Sequence, residues 1–362
     1  MVADVSRSAS TSEGVTPSPE AVLVNLPDHP HATLGMMAGW GAGLLVLAGL
    51  VTFILHFGDF ETFLTTLRRA DPLWLAAAAL CQLATYGCAA GVWWCVLRRT
   101  GAARPLTSLL SLALVELFAN QALPSGGVSG SIMVIRGLVR RGVGSPAAIT
   151  ALLVAGLSYY TAYLLAGLSA FVLLWHFGDL SGAWLSLSIA FVAVVVLLAG
   201  AVLAVTRSRG RFIPHAVLRW QPAIRFSALL RQVRLDTIRD GRVVFEAVVF
   251  QCAVFLLDAA TLWCAGHAVG LALSPASAFM SFVLASVVAT LSPIPLGLGT
   301  FEGTCVGMLH LLGGGLETSL AATLILRGFT LWLPMLPGLW LIRREMKAMP
   351  TGATSPQGTA QA

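Results

Sequence analysis

Charge is what this chain has least of. Only 10% of its 362 residues are charged and 57% are hydrophobic, whereas soluble domains carry about 25% charged residues. A soluble fold cannot hide that much apolar surface, so lipid must be the solvent. Tyrosine is also scarce, at four residues, and the six cysteines form no CxxC pair. Cys81, Cys88, Cys95, Cys252, Cys264 and Cys305 all lie in apolar stretches, which excludes a disulfide framework and gives no zinc pattern. There is no HExxH, and no phosphate-binding loop that would support ATP hydrolysis. Gly297-x-Gly299-x-x-Glu302 lacks the βαβ surroundings of a dinucleotide fingerprint. No cofactor and no metal are expected. The net charge of +6 does not indicate nucleic acid, because the basic residues cluster just beyond apolar segments, as orientation signals do in membrane proteins.

What is present is a series of long apolar runs. Six are long enough to cross about 30 Å of hydrocarbon: residues 34–57, 72–97, 146–175, 184–205, 243–269 and 316–342. Two further stretches, 106–141 and 277–312, are interrupted. The first breaks at Pro124, Gly126 and Gly127, the second at Pro293, Pro295, Gly297 and Gly299. Proline removes a backbone donor and glycine weakens a helix, so both helices stop there. The pattern predicts two re-entrant helical hairpins, tolerated at depth where protein or a watery cavity covers them. With the N-terminus in the cytoplasm, this topology puts 19 of the 22 Lys and Arg residues inside, as the positive-inside rule requires. Both termini are then cytoplasmic.

The fold class expected is all-α integral membrane, about six transmembrane helices plus two re-entrant hairpins. Residues 1–33 and 346–362 are polar tails expected to be disordered, and 34–345 is the membrane domain. Its halves, about 70–175 and 241–345, flank a basic cytoplasmic loop at 206–242. Each half has the order span, hairpin, span. A shift of 171 residues superposes Pro124 on Pro295, Gly126 on Gly297, Gly142 on Gly313 and Cys81 on Cys252. Because the hairpins open to opposite sides, the halves form an inverted repeat, a recurring transporter plan.

Ionisable residues inside membrane segments are functional candidates by default. They are Glu116 with Asn120 one turn later, Arg136, Asp258, Glu302 and Arg327. Two pairings are open: Glu302 and Arg327 neutralise each other, or Arg327 and Arg136 bind a lipid phosphate. The second would be helped by helix N-termini and free N–H groups at the glycine breaks. The loop at 206–242 carries nine Arg among Phe212, Trp220 and Phe226. It reads as a surface on anionic headgroups, or as a dock for a cytoplasmic lipid-modifying enzyme.

At the two breaks the sequence resembles the lysylphosphatidylglycerol synthase transmembrane (flippase-like) family. The resemblance rests on Pro124-Ser125-Gly126-Gly127 with Arg136, and on the stretch from Pro293 through Pro295, Gly297 and Gly299 to Glu302. It implies translocation of a lipid between leaflets: an anionic or aminoacylated phospholipid, or a hopanoid-like lipid. No aminoacyltransferase domain is expected after Arg344, so this chain is expected not to be an enzyme. Ser131 stands in the first motif where the second has Glu302. Rival readings are an intramembrane lipid-modifying enzyme, an ion or small-solute transporter, and a scaffold for a lipid-biosynthesis partner.

Overall fold

In a computed structural model the chain is described over residues 68–122, 128–177, 240–292 and 297–334, with isolated positions at 65, 189, 193, 196–197, 200, 237–238, 294 and 337. The predicted spans at 34–57 and 184–205, the first break, Pro293, Pro295 and the basic loop lie outside the described residues, apart from isolated positions. So does the side chain of Asn120.

All described elements are helical. They run α1 (Pro72–Arg99), α2 (Leu106–Ala122), α3 (Val128–Arg140), α4 (Ser145–Phe177), α5 (Gly241–Ala268), α6 (Pro275–Leu291), α7 (Thr300–Leu311) and α8 (Leu316–Arg327). A π-helical turn, Gly328–Trp332, continues α8. Among the described residues three helices are long and apolar enough to cross a membrane: Pro72–Arg99, Ser145–His176 and Gly241–Ala268. Their flanks carry large apolar side chains with no protein cover, such as Leu73 at 78% and Phe245 at 68% exposure, which only a lipid solvent makes tolerable.

α1 and α5 begin alike. Asp71 caps α1 by accepting from the Leu73 N–H, and Asp240 caps α5 by accepting from Arg242. Such a carboxylate meets one of the orphan amides of the first turn. The two helices pack closely and antiparallel. The Asp71 N–H donates to the Ala268 carbonyl at 2.8 Å at one end, and Arg98 and Arg99 flank Glu246 at the other, at 3.5 and 3.9 Å. Gly91 permits the approach: a methyl there would lie 2.7 Å from the Phe250 ring.

The pieces between α1 and α4 fold back on themselves. α2 packs on α3, and the ends of the pair are tied where Arg104 Nε donates to the Arg141 carbonyl at 2.7 Å and Arg141 Nε donates to Ser108 Oγ at 2.8 Å. This hairpin opens toward the end holding Arg98, Arg99 and Glu246. The α6–α7 hairpin opens toward the opposite end, where Leu271 neighbours Gly314. Buried side chains form two cores. One lies among α1, α2, α3 and the first turns of α4 and α5; the other lies among α6, α7, α8 and the later turns of α4 and α5.

Asp71 and Asp240 stand 169 residues apart, as do the left-handed glycines Gly101 and Gly270, whereas Gly142 and Gly313 stand 171 apart. The extra two residues fall between α6 and α7. Measured from those caps, Cys81 and Cys252, which a shift of 171 superposes, occupy different positions along α1 and α5.

Candidate functional site

The second break is built by two glycines that no other residue would replace easily. Gly297 and Gly299 have φ of +60° and +79°, a region that costs other L-residues about 1–2 kcal/mol. A methyl at Gly297 would also lie 2.4 Å from the Ala289 Cβ, so the break at Gly297 is pressed against α6. Beyond it, α7 starts with a carboxylate as its cap. Glu302 Oε2 accepts the Gly299 N–H at 2.6 Å, and its Oε1 accepts from Arg327 Nε at 2.5 Å. The Arg327 guanidinium also lies over the Phe301 ring, 4.5 Å from its centre, a cation–π arrangement. Glu302 thus ties the break, α7 and α8 together through one side chain.

Beside this knot lies a cavity of about 380 Å³, within the range that holds small ligands. Asp258 of α5 and Arg327 of α8 both line it, with Ser286 and Thr290 of α6, Thr330 of the π-helical turn and the backbone of the break at Gly297. Phe282 and Phe301 add apolar wall and meet edge to face. Asp258 Oδ1 is buried and accepts no hydrogen bond from the described residues. Its neighbours on α1 are Gln82 and Thr85. Thr261, one turn on, reaches toward Gln82 at 3.4 Å. At the α4 side, the hydroxyls of Tyr163 and Thr290 are 2.9 Å apart.

The candidates named from sequence separate into three groups. Asp258, Glu302, Arg327, Gly297 and Gly299 are brought together around the cavity. Glu116 and Arg136 belong to the other half, on α2 and α3, where Trp93 reaches the Glu116 carboxylate. Asn120, Pro124, Gly126, Gly127, Pro293 and Pro295 are outside what can be placed by side chain. Of the two pairings left open, the structure contains Glu302 with Arg327. The expectation of free N–H groups at the second break is corrected: the Gly299 N–H is taken by Glu302 and that of Gly297 by the Ile294 carbonyl at 3.1 Å. Arg136 is not among the lining residues of the cavity.

Sequence reasoning missed Gln82, Thr85, Ser286, Thr290 and Thr330. A signal existed. Gln82, Thr85 and Tyr86 fall at i, i+3 and i+4 in an otherwise apolar span, and Ser286 and Thr290 at i and i+4, so each set shares one face.

A helical bundle with membrane-length apolar helices and an open cavity edged by a carboxylate and a guanidinium defines a membrane protein with a polar site. The chain belongs to the family described as lysylphosphatidylglycerol synthase TM region, whose model matches residues 40–338. No curated protein matches it at a significant level.

Proposed function

We propose that this protein moves an amphipathic lipid between the leaflets of a bacterial inner membrane, without covalent chemistry of its own. The observation that carries the reading is the cavity that Asp258 and Arg327 share among helices whose outer faces suit lipid. A polar head crossing hydrocarbon unaided loses its hydrogen bonds at a cost of several kcal/mol. A cavity offering a carboxylate, a guanidinium and hydroxyls replaces them, while the acyl tails stay in the bilayer. Family membership supports a lipid-related role. The cargo class it points to is an anionic or aminoacylated phospholipid or a hopanoid-like lipid.

Inverted repetition is part of the same proposal. The shared caps of α1 and α5, their antiparallel packing and the opposed hairpins support two halves related by a pseudo-twofold axis, with both hairpins re-entrant. Both termini then face the cytoplasm, and the loop at 206–242 lies on anionic headgroups or receives a lipid-modifying partner.

The test is reconstitution in vesicles containing headgroup-labelled phosphatidylglycerol or a cationic aminoacyl analogue, with an impermeant quencher added outside. The wild type should expose inner-leaflet label well above empty vesicles, and Arg327→Ala should lower that rate at least tenfold. Label protection equal to that of empty vesicles, from folded wild-type protein and every lipid tried, would refute the proposal.

A further inference from the structure

We infer that Asp258 is a proton-carrying site, which couples lipid movement to the transmembrane proton gradient; the inference rests on the translocase reading.

Asp258 sits deep in its helix. α5 has 28 residues, about 42 Å at 1.5 Å each. Asp258 is about 26 Å from its start and about 15 Å from its end, within the hydrocarbon zone of a perpendicular span. A carboxylate at such depth is costly unless it is paired or protonated. Among the described residues the charges around it leave it in excess. Arg327 lines the same cavity but is already bound to Glu302, so that pair is neutral as a unit. Among the described residues no Lys, Arg or His forms an ion pair with Asp258. What α1 offers is Gln82 and Thr85, with Tyr86 near enough to sense its charge. α4 offers Tyr159, and α6 the hydroxyls of Ser286 and Thr290 across the cavity. These groups are neutral and can hydrogen-bond either form of the acid.

The arrangement can therefore hold either form of the acid. With the cavity open to water or holding a cationic headgroup, the carboxylate is stabilised. With the cavity dry, the neutral acid is. A proton from water on one side adds to a carboxylate oxygen to give the acid, and later leaves that oxygen to water on the other side; only that O–H bond forms and breaks. If its binding alternates with the lipid, each lipid moved one way is matched by one proton moved the other way.

The experiment uses vesicles reconstituted with the full chain and headgroup-labelled lipid, under an imposed gradient of one pH unit with membrane potential clamped. With a cationic aminoacyl lipid as the labelled probe, one-for-one exchange against a proton is electroneutral and shifts the steady-state leaflet ratio of the lipid tenfold, the equilibrium factor carried by one pH unit. Wild type should reach a ratio near ten and reverse it when the gradient is reversed. Asp258→Asn should give no gradient-driven ratio whatever its rate, and Asp258→Glu should restore one. A second readout needs no lipid: in the infrared difference spectrum between low and high pH, one component of the carboxylic-acid band should shift in Asp258→Glu and be lost in Asp258→Asn. If Asp258→Asn fails to fold, the wild-type ratio and the Asp258→Glu spectrum decide. A wild-type ratio that stays at one while lipid moves overturns the proton inference and leaves translocation standing. A ratio set by a sodium gradient instead, or an unchanged ratio in Asp258→Asn, also overturns it. No lipid movement under any gradient refutes the translocase reading itself.

Discussion

Separating Glu302 from Arg327 should cost the fold far more than removing both. The side chains are 3% and 11% exposed, so little water is at hand to replace the lost partner. Breaking a buried ion pair by removing one member costs about 3–5 kcal/mol, while replacing both by well-packed neutral groups is often near neutral. Glu302→Gln keeps an acceptor for the Gly299 N–H and leaves a guanidinium edged by the cavity, where water can reach it; its cost should fall near the low end, about 3 kcal/mol. Arg327→Met leaves a carboxylate held by the Gly299 N–H in a nearly closed site; its cost should fall near the high end, about 5 kcal/mol. Independent effects would sum to about 8 kcal/mol, but the double variant should lose no more than about 2, a coupling of about 6 kcal/mol. Reversible unfolding in mixed micelles titrated with denaturing detergent would measure this, read by labelling of Cys305, which is fully buried one turn from Glu302. A double variant as unstable as the two singles combined would show that the pair does not interact as the structure has it.

Two more outcomes follow from named contacts. Gly297→Ala should destabilise by about 2–4 kcal/mol, part from its left-handed φ and part from the Ala289 methyl; adding Ala289→Gly should recover only the second part in the same titration. Glu246→Gln, whose carboxylate is 35% exposed beside Arg98 and Arg99, should change stability by less than about 1 kcal/mol, as exposed pairs do, and a larger loss would mean the α1–α5 seam depends on it.

The long helices were legible because an apolar run has a length. The sequence limits of 72–97, 146–175 and 243–269 differ by no more than two residues at each end from α1, α4 and α5. The break at Gly297 and Gly299 was legible because its glycines stop a helix of any context. The clustering of Asp258, Glu302 and Arg327 was only partly so. Each is conspicuous as a charge in an apolar segment, but α5, α7 and α8 meet through packing that no spacing along one helix encodes. For the same reason Glu302 could be read equally as a cargo contact or as a partner of Arg327. Its reach back to the Gly299 N–H follows from cap geometry three residues away, a local signal present in the sequence. The polar set from α1 and α6 escaped notice because hydroxyls and amides stand out less in an apolar span than charges do.

The π-helical turn at Gly328–Trp332 adds one residue to an otherwise α-helical path, and Tyr86 of α1 donates to the Phe329 carbonyl within it at 3.0 Å. Each α-helical residue turns the chain by about 100° and advances it 1.5 Å. Deleting a single residue here would close the wide turn and rotate the described residues that follow it by about 100° about the helix axis. The described residues after the turn are thus indexed to the site by a count of one, and α1 holds the index in place.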